Sequence, residues 1–202
     1  MKKTYWQESK KIVGPARVQN FGMVGQQATR EAIYGFVLSH SDSTTRLVEL
    51  GCNVGILGWN LDQKRFKGTY VGIDSNHKAL VIAVENLERC KCTILLEGDI
   101  ESVPITDRAA DIVVSKDVIE HLPYYEGAID ELTRICKQFF VLSMFIVGCG
   151  GPDQIEQHEA GYYLNTYNRK RLLDYIESQG FRLWENRLIG SDELLFFERS
   201  DA

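Results

Sequence analysis

Short apolar runs alternate along this chain with longer stretches whose apolar positions recur every three to four residues. Residues 25–39 carry Ala28, Ile33, Phe36 and Val37 at helical spacing. The run RLVEL (46–50) reads as a strand, followed by a glycine turn and a short helix ending near DQKRFKG. TYVGID (69–74) reads as a strand and NHKALVIAVENLERC (76–90) as a helix. CTILLEGD (92–99) and ADIVVSKD (110–117) are further strands, and a helix is expected near YYEGAIDELTRIC. FFVLSMFIV (139–147) is the longest apolar run, half the length of a membrane span, and reads as a buried strand. NRKRLLDYIESQG (168–180) is helical, with Gly180 as its stop. RLWENRLI and DELLFFER close the chain as strands. Strands separated by helix-length segments imply an α/β fold with a single doubly wound, mainly parallel sheet of seven strands. The link between the last two strands is too short for a crossover, so they form an antiparallel C-terminal hairpin.

At 202 residues, with no internal repeat or low-complexity linker, the chain is expected to form one domain over 1–202, with 1–42 as an N-terminal helical lid or cap. Tyr5, Trp6 and the stretch NFGMVGQQ give that lid its aromatic and apolar contacts. The N-terminus has no apolar stretch after its lysines, and the five cysteines (52, 90, 92, 136, 149) include no Cys-x-x-Cys pair. Both features point to a reducing cytoplasm with the cysteines as small core residues, and neither suggests a membrane. A net charge of −5 argues against general nucleic-acid affinity, although the first 20 residues hold five Lys/Arg against one acid. Oligomeric state is not legible.

The chemistry turns on VELGCNVGILGWNL, where an apolar strand runs through Glu49 into glycines 51, 55 and 58. A phosphate loop needs a lysine after its second glycine, and none follows Gly51. A dinucleotide fingerprint needs glycines at 51, 53 and 56, but Asn53 and Ile56 stand at two of those positions. What remains is Glu-x-Gly-x-x-x-Gly followed by Asp74 at a strand end.

With VELGCNVG, VGIDSN, EGDIESVP and ADIVVSKDVIEHLP in this order, residues 45–145 resemble the class I S-adenosylmethionine-dependent methyltransferases, small-molecule type with a Glu-His-Leu-Pro turn. Asn53 replaces the middle glycine of the family's first motif and tolerates left-handed backbone better than most residues. The resemblance implies S-adenosylmethionine as cofactor, in the crevice where strand order reverses. It implies Gly51 and Gly55, with Cys52 and Asn53, as the turn along the cofactor, and Glu49 as organiser of its amino-acid end. Asp74, with Ser75 beside it, would accept the ribose hydroxyls. Asp99 would meet the adenine amino group and the Ile100 amide a ring nitrogen. Lys116 would contribute its backbone.

If the acceptor is a hydroxyl, His121 is the first candidate for its base and His158 the second. His121 could instead cap the next helix, and Tyr162, Tyr163 and Tyr167 could shape an acceptor pocket. His40 and His77 read as surface residues. The expected activity is O-methylation of a small polar metabolite or glycan, without metal. A first alternative is a metal-dependent RNA 2′-O-methyltransferase holding its metal with Asp117, Glu120, His121 and His158. A second is a non-catalytic S-adenosylmethionine-binding subunit.

Overall fold

The computed structural model describes residues 24–200; the lid expected over 1–42 falls largely outside them, and only its final helix is described. In chain order the elements are α1 (Val24–Ser39), β1 (Arg46–Leu50), α2 (Ile56–Gln63), β2 (Thr69–Asp74), α3 (His77–Leu87), β3 (Thr93–Glu97) and β4 (Ala110–Lys116). A 3-10 turn (Ile119–His121), α4 (Glu126–Ile135), β5 (Cys136–Met144), α5 (Arg169–Ser178), β6 (Phe181–Ile189) and β7 (Asp192–Arg199) complete the fold.

The seven strands form one sheet in the order β3-β2-β1-β4-β5-β7-β6. The first five pair in parallel, and β7 runs antiparallel to both β5 and β6. The mainly parallel sheet with its antiparallel hairpin therefore forms as the pattern predicts. Boundaries shift where local chemistry intervenes. Strand β3 stops at Glu97, because Asp99 closes a turn by accepting from the Glu101 amide and pairing with Ser102. Strand β5 starts directly at Cys136, where α4 ends, and stops at Met144. Asn76 caps α3 by accepting from the Lys78 and Ala79 amides, and Asn168 caps α5 through the Arg171 amide. Gly180, with φ of 83°, ends that last helix as expected.

Side chains alternate across the sheet into two cores. On one face Val48, Val71, Val113, Phe140, Leu142 and Phe197 pack under α4 and α5. On the other, Leu47, Tyr70, Ile112, Val141 and Phe196 pack under α1, α2 and the end of α3. Helix α1 differs from expectation at Ala28, which is exposed; Thr29 is the buried residue there, donating to Asp192 Oδ2 at 2.8 Å. Of the cysteines only Cys52 and Cys136 are core residues; Cys92 is exposed. His77 lies at the surface, ion-paired with Glu97, whereas His40 is partly buried and stacks on Phe36. Among the described residues no helix is long and apolar enough to cross a membrane.

Candidate cofactor and acceptor site

Strand order reverses between β1 and β4, so the loops after these two strands diverge and leave a crevice at their carboxyl ends. The loop after β1 is held in left-handed backbone at three places: Gly51 (φ 79°), Asn53 (φ 49°) and Gly55 (φ 78°). Asparagine is thus tolerated at 53 as its short polar side chain allows. The two glycines have a further cause that lies within the protein. A Cβ at Gly51 would come within 2.4 Å of Val118, and one at Gly55 within 2.7 Å of Leu87. Gly58 serves packing as well, since a Cβ there would fall 2.5 Å from the Tyr70 ring.

Asp74 ties this loop to the end of β2. Its Oδ2 accepts from the Asn53 amide and its Oδ1 from the Asn76 amide, both at 2.8 Å. Burial raises its carboxyl above the ordinary range, against the pull of the amides of Asn76, Asn53 and Ser75. A carboxylate offers about four acceptor directions, so beside these three amides one remains for a hydroxyl donor. Cys52 turns its thiol into the core and offers the crevice only backbone. Glu49 is buried and accepts from the Tyr70 hydroxyl. Burial pushes its carboxyl up to about 8 even though the Tyr70 hydrogen bond opposes this. Asp99 is exposed at the end of β3, and Ile100 packs its side chain against the core.

Polar atoms without a partner among the described residues gather around the same crevice. They include Asn53 Oδ1, Ser115 Oγ near the end of β4, and one terminal guanidinium nitrogen of Arg30. Arg30 lies within electrostatic reach of Glu49 and Tyr34, and its other terminal nitrogen donates to Gln26 Oε1 at 3.2 Å. Gln26 in turn donates to Asp117 Oδ2 at 3.0 Å. Neither Gln26 nor Arg30 stands out in the sequence, although both extend the stripe of Tyr34 toward the start of α1 at four-residue spacing. Buried donors and acceptors left open cost stability unless something pairs them. A polar ligand with a carboxylate and hydroxyls fits this set.

The end of β4 bends sharply. Asp117 takes a left-handed φ of 56°. Its Oδ1 accepts from Ser143 Oγ at 3.0 Å, and Lys116 pairs with its other oxygen. The Lys116 ammonium is therefore compensated by its neighbour. Glu120 is wholly buried in the 3-10 turn; its Oε1 accepts from the Phe145 amide at 2.8 Å, and its Oε2 has no partner among the described residues. Burial, reinforced by Asp117, pushes this carboxyl up to about 8.

His121 does not cap the next helix, whose first turn begins at Tyr125 without a side-chain cap. Its Nδ1 lies 2.9 Å from the Tyr163 carbonyl oxygen. A carbonyl only accepts, so Nδ1 carries the proton and Nε2 is the basic nitrogen of the neutral ring. Tyr163 belongs to a long loop after β5 that bridges Gln154 to Thr166 and Gln157 to Tyr163. Two buried residues lock this loop to the 3-10 turn. Asn165 gives its amide to Glu120 O at 2.9 Å and its Nδ2 to Leu122 O, and Tyr167 gives its hydroxyl to Ile119 O at 3.0 Å and Leu122 O at 2.7 Å. His158 sits exposed near the loop tip, stacked on Tyr162 at 4.5 Å, and its Nδ1 accepts from the Ala160 amide at 3.1 Å. That contact places the proton of its neutral ring on Nε2, the opposite tautomer to His121. Asp117, Glu120, His121 and His158 do not assemble as a ligand set: among the described residues no three or more His, Cys, Asp or Glu side chains converge.

Residues 48–139 match a family model described as a methyltransferase domain. No curated protein matches the chain by sequence. Among solved structures, magnesium protoporphyrin IX methyltransferase from Synechocystis PCC 6803 is 17% identical with a TM-score of 0.74, covering 97% of this chain and 94% of that one. The 1,6-didemethyltoxoflavin-N1-methyltransferase of Burkholderia thailandensis is 9% identical with a TM-score of 0.71, covering 95% and 88%. The [4+2]-cyclase SpnF, 16% identical with a TM-score of 0.71 over 86% and 82%, shares the fold while bearing the name of a different reaction. At such identities the structures show the fold. The family match adds the segment from β1 to β5 that builds the crevice. By both, the chain has the fold of S-adenosylmethionine-dependent methyltransferases, and its residues 48–139 are similar to a methyltransferase domain.

Proposed function

We propose that the protein O-methylates a small polar metabolite, with His121 as the base. The observation that carries this reading is the bond from His121 Nδ1 to the Tyr163 carbonyl, which presents Nε2 as a proton acceptor. S-adenosylmethionine, when bound, supplies an electrophilic methyl group on a sulfonium that leaves as a neutral thioether. The residues of this chain do the rest. Asp74 accepts from the ribose with its remaining acceptor direction, and Asp99 with the Ile100 amide meets the adenine. The open guanidinium nitrogen of Arg30 and the amides at the start of α2 take the methionine carboxylate. His121 Nε2 receives the acceptor proton as the new oxygen–carbon bond forms. A small-molecule acceptor accords with the names of two structural neighbours, a tetrapyrrole and a toxoflavin-precursor methyltransferase. His158, in the opposite tautomer, is assigned to the wall of the acceptor site. The 1–42 segment is proposed as its cover.

The test is His121→Ala in a screen of hydroxyl acceptors with labelled cofactor. Turnover should fall about 10²–10⁴-fold with cofactor affinity kept within a few-fold. Full turnover in the variant would remove His121 as base. Cofactor binding without transfer to any acceptor would leave the non-catalytic subunit.

A further inference from the structure

We propose that two copies of this chain pair antiparallel through the free edge of β3, joining their sheets across a two-fold axis. β3 ends the sheet, and among the described residues its strand partner is β2 alone. The Tyr70 amide donates to Cys92 O at 3.0 Å and the Gly98 amide to Asp74 O at 3.1 Å. The even-numbered residues of β3 therefore turn their backbone to β2, and the amides and carbonyls of Thr93, Leu95 and Glu97 face outward. Between Lys91 and Glu97 this edge carries no charged side chain. The opposite edge of the sheet is defended: β6 carries Arg182, Glu185 and Arg187, and a bulge between Leu183 and Glu185 interrupts its ladder. Charges and bulges keep sheet edges apart, and β3 has neither from Thr93 to Leu96.

Apolar surface flanks this edge on both faces of the sheet. His77, Val81, Val84 and Glu88 form one stripe at helical spacing along α3 and its end. His77 Nδ1 lies 2.9 Å from Glu97 Oε2, so the stripe runs on the β3 side of the helix; Asn86, on the other flank, holds Val54 O at 2.8 Å. Val81 is 48% exposed and Val84 58%. Ile94 shares the opposite sheet face with Val71 and is 47% exposed, although Val71 is buried. It stays bare because the connection from β3 to β4 forms no helix to cover it.

A second copy fits this edge because the edge is complementary to itself. A two-fold axis perpendicular to the sheet keeps each face on its own side, so Val81 and Val84 meet their counterparts on one face and Ile94 meets Ile94 on the other. In the register centred on Ile94, Thr93 stands opposite Leu95 of the second copy, and both turn their backbone outward to exchange hydrogen bonds. Ile94 then falls at the non-hydrogen-bonded position, where Cα atoms approach to about 4.5 Å. Lys91 comes opposite Glu97 of the second copy, twice in each interface, and opposite charges so placed favour this register. Both residues are exposed, and the Glu97 carboxylate has the exposed His77 as its present partner. A slip of one residue would set outward backbone against inward and leave the ladder unmade. Such a self-complementary contact closes at two copies.

The experiment is sedimentation velocity on the full chain over roughly 1–200 µM, a range suited to a modest interface. We expect a monomer–dimer equilibrium. Ile94→Lys should weaken it about tenfold or more, with circular dichroism of the dilute protein matching wild type as the check on folding. Lys91→Glu should weaken it about tenfold or more as well, and Lys91→Glu combined with Glu97→Lys should restore it to within a few-fold. Leu188→Lys, on β6, should leave it unchanged. A wild type that stays monomeric throughout overturns the proposal, and so does growth beyond the dimer. A dimer insensitive to Ile94→Lys, or broken by Leu188→Lys instead, places the contact elsewhere and overturns it too. A double charge variant that dimerises no better than Lys91→Glu alone overturns the antiparallel register.

Discussion

Glu120→Gln should make the protein more stable above pH 8 and leave it almost unchanged below pH 5. The carboxyl is wholly buried, one oxygen accepts the Phe145 amide, and the other is without a partner among the described residues. Burial, with Asp117 adding repulsion, raises it from 4.5 to about 8. In the unfolded chain it ionises near its ordinary value, so between these two pH values the folded state holds a proton that the unfolded state has released. Stability contributed by such a group is present below the unfolded pKa and is lost as pH rises toward the folded one. The full loss corresponds to about 5 kcal/mol, at about 1.4 kcal/mol for each tenfold change in proton affinity. Glutamine keeps the Phe145 bond and the shape but cannot ionise. Urea unfolding of the ligand-free protein at pH 5 and pH 8.5 is the assay. The variant should match wild type within about 1 kcal/mol at pH 5 and exceed it by several kcal/mol at pH 8.5, with the same denaturant slope. Equal destabilisation at both pH values would show that Glu120 is folded in its ionised form, and the electrostatic account of the turn would fail.

Three further outcomes follow from the crevice. Asp74→Ala should weaken S-adenosylhomocysteine binding by at least roughly 1.5–3 kcal/mol in calorimetry and also lower the melting temperature, because the Asn53 and Asn76 amides lose their acceptor. Arg30→Leu should cost S-adenosylhomocysteine affinity about tenfold while leaving adenosine, which has no carboxylate, unaffected; equal losses for both would move Arg30 away from the amino-acid end. Gly58→Ala in α2 should destabilise by about 1–3 kcal/mol, although alanine ordinarily gains about 1 kcal/mol in a helix, because its Cβ would fall 2.5 Å from the Tyr70 ring. A raised melting temperature in that variant would show that Tyr70 can yield.

The inner parallel strands are legible because each is an apolar run that burial on both faces demands, as RLVEL and ADIVV show. Their ends are less so: β3 stops where the Asp99 side chain closes a turn, a choice made by one hydrogen bond and not by hydropathy. Asp74 and His121 can be picked from their positions after strands. Their partners cannot. The His121 tautomer depends on a carbonyl 42 residues away, and Asn165 and Tyr167 grip the 3-10 turn from more than forty residues on. Arg30 and Gln26 are hidden for a different reason. Polar residues on the inner stripe of a helix carry no periodic signal of their own. The glycines mislead in one respect, since ligand approach alone does not require them: Val118, Leu87 and Tyr70 already occupy the space a Cβ would need.

The position of β7 between β5 and β6 sets the order of events in biosynthesis and refolding. This strand is the last in chain order, yet it lies in the interior of the sheet, with Phe196 and Phe197 filling opposite cores. Until it inserts, β5 exposes a raw edge beside the 3-10 turn and β6 has no neighbour to pair with. A ribosome must therefore release residues 192–199 before the acceptor side of the crevice can set, and any chain halted short of them presents an open, adhesive sheet edge to its surroundings.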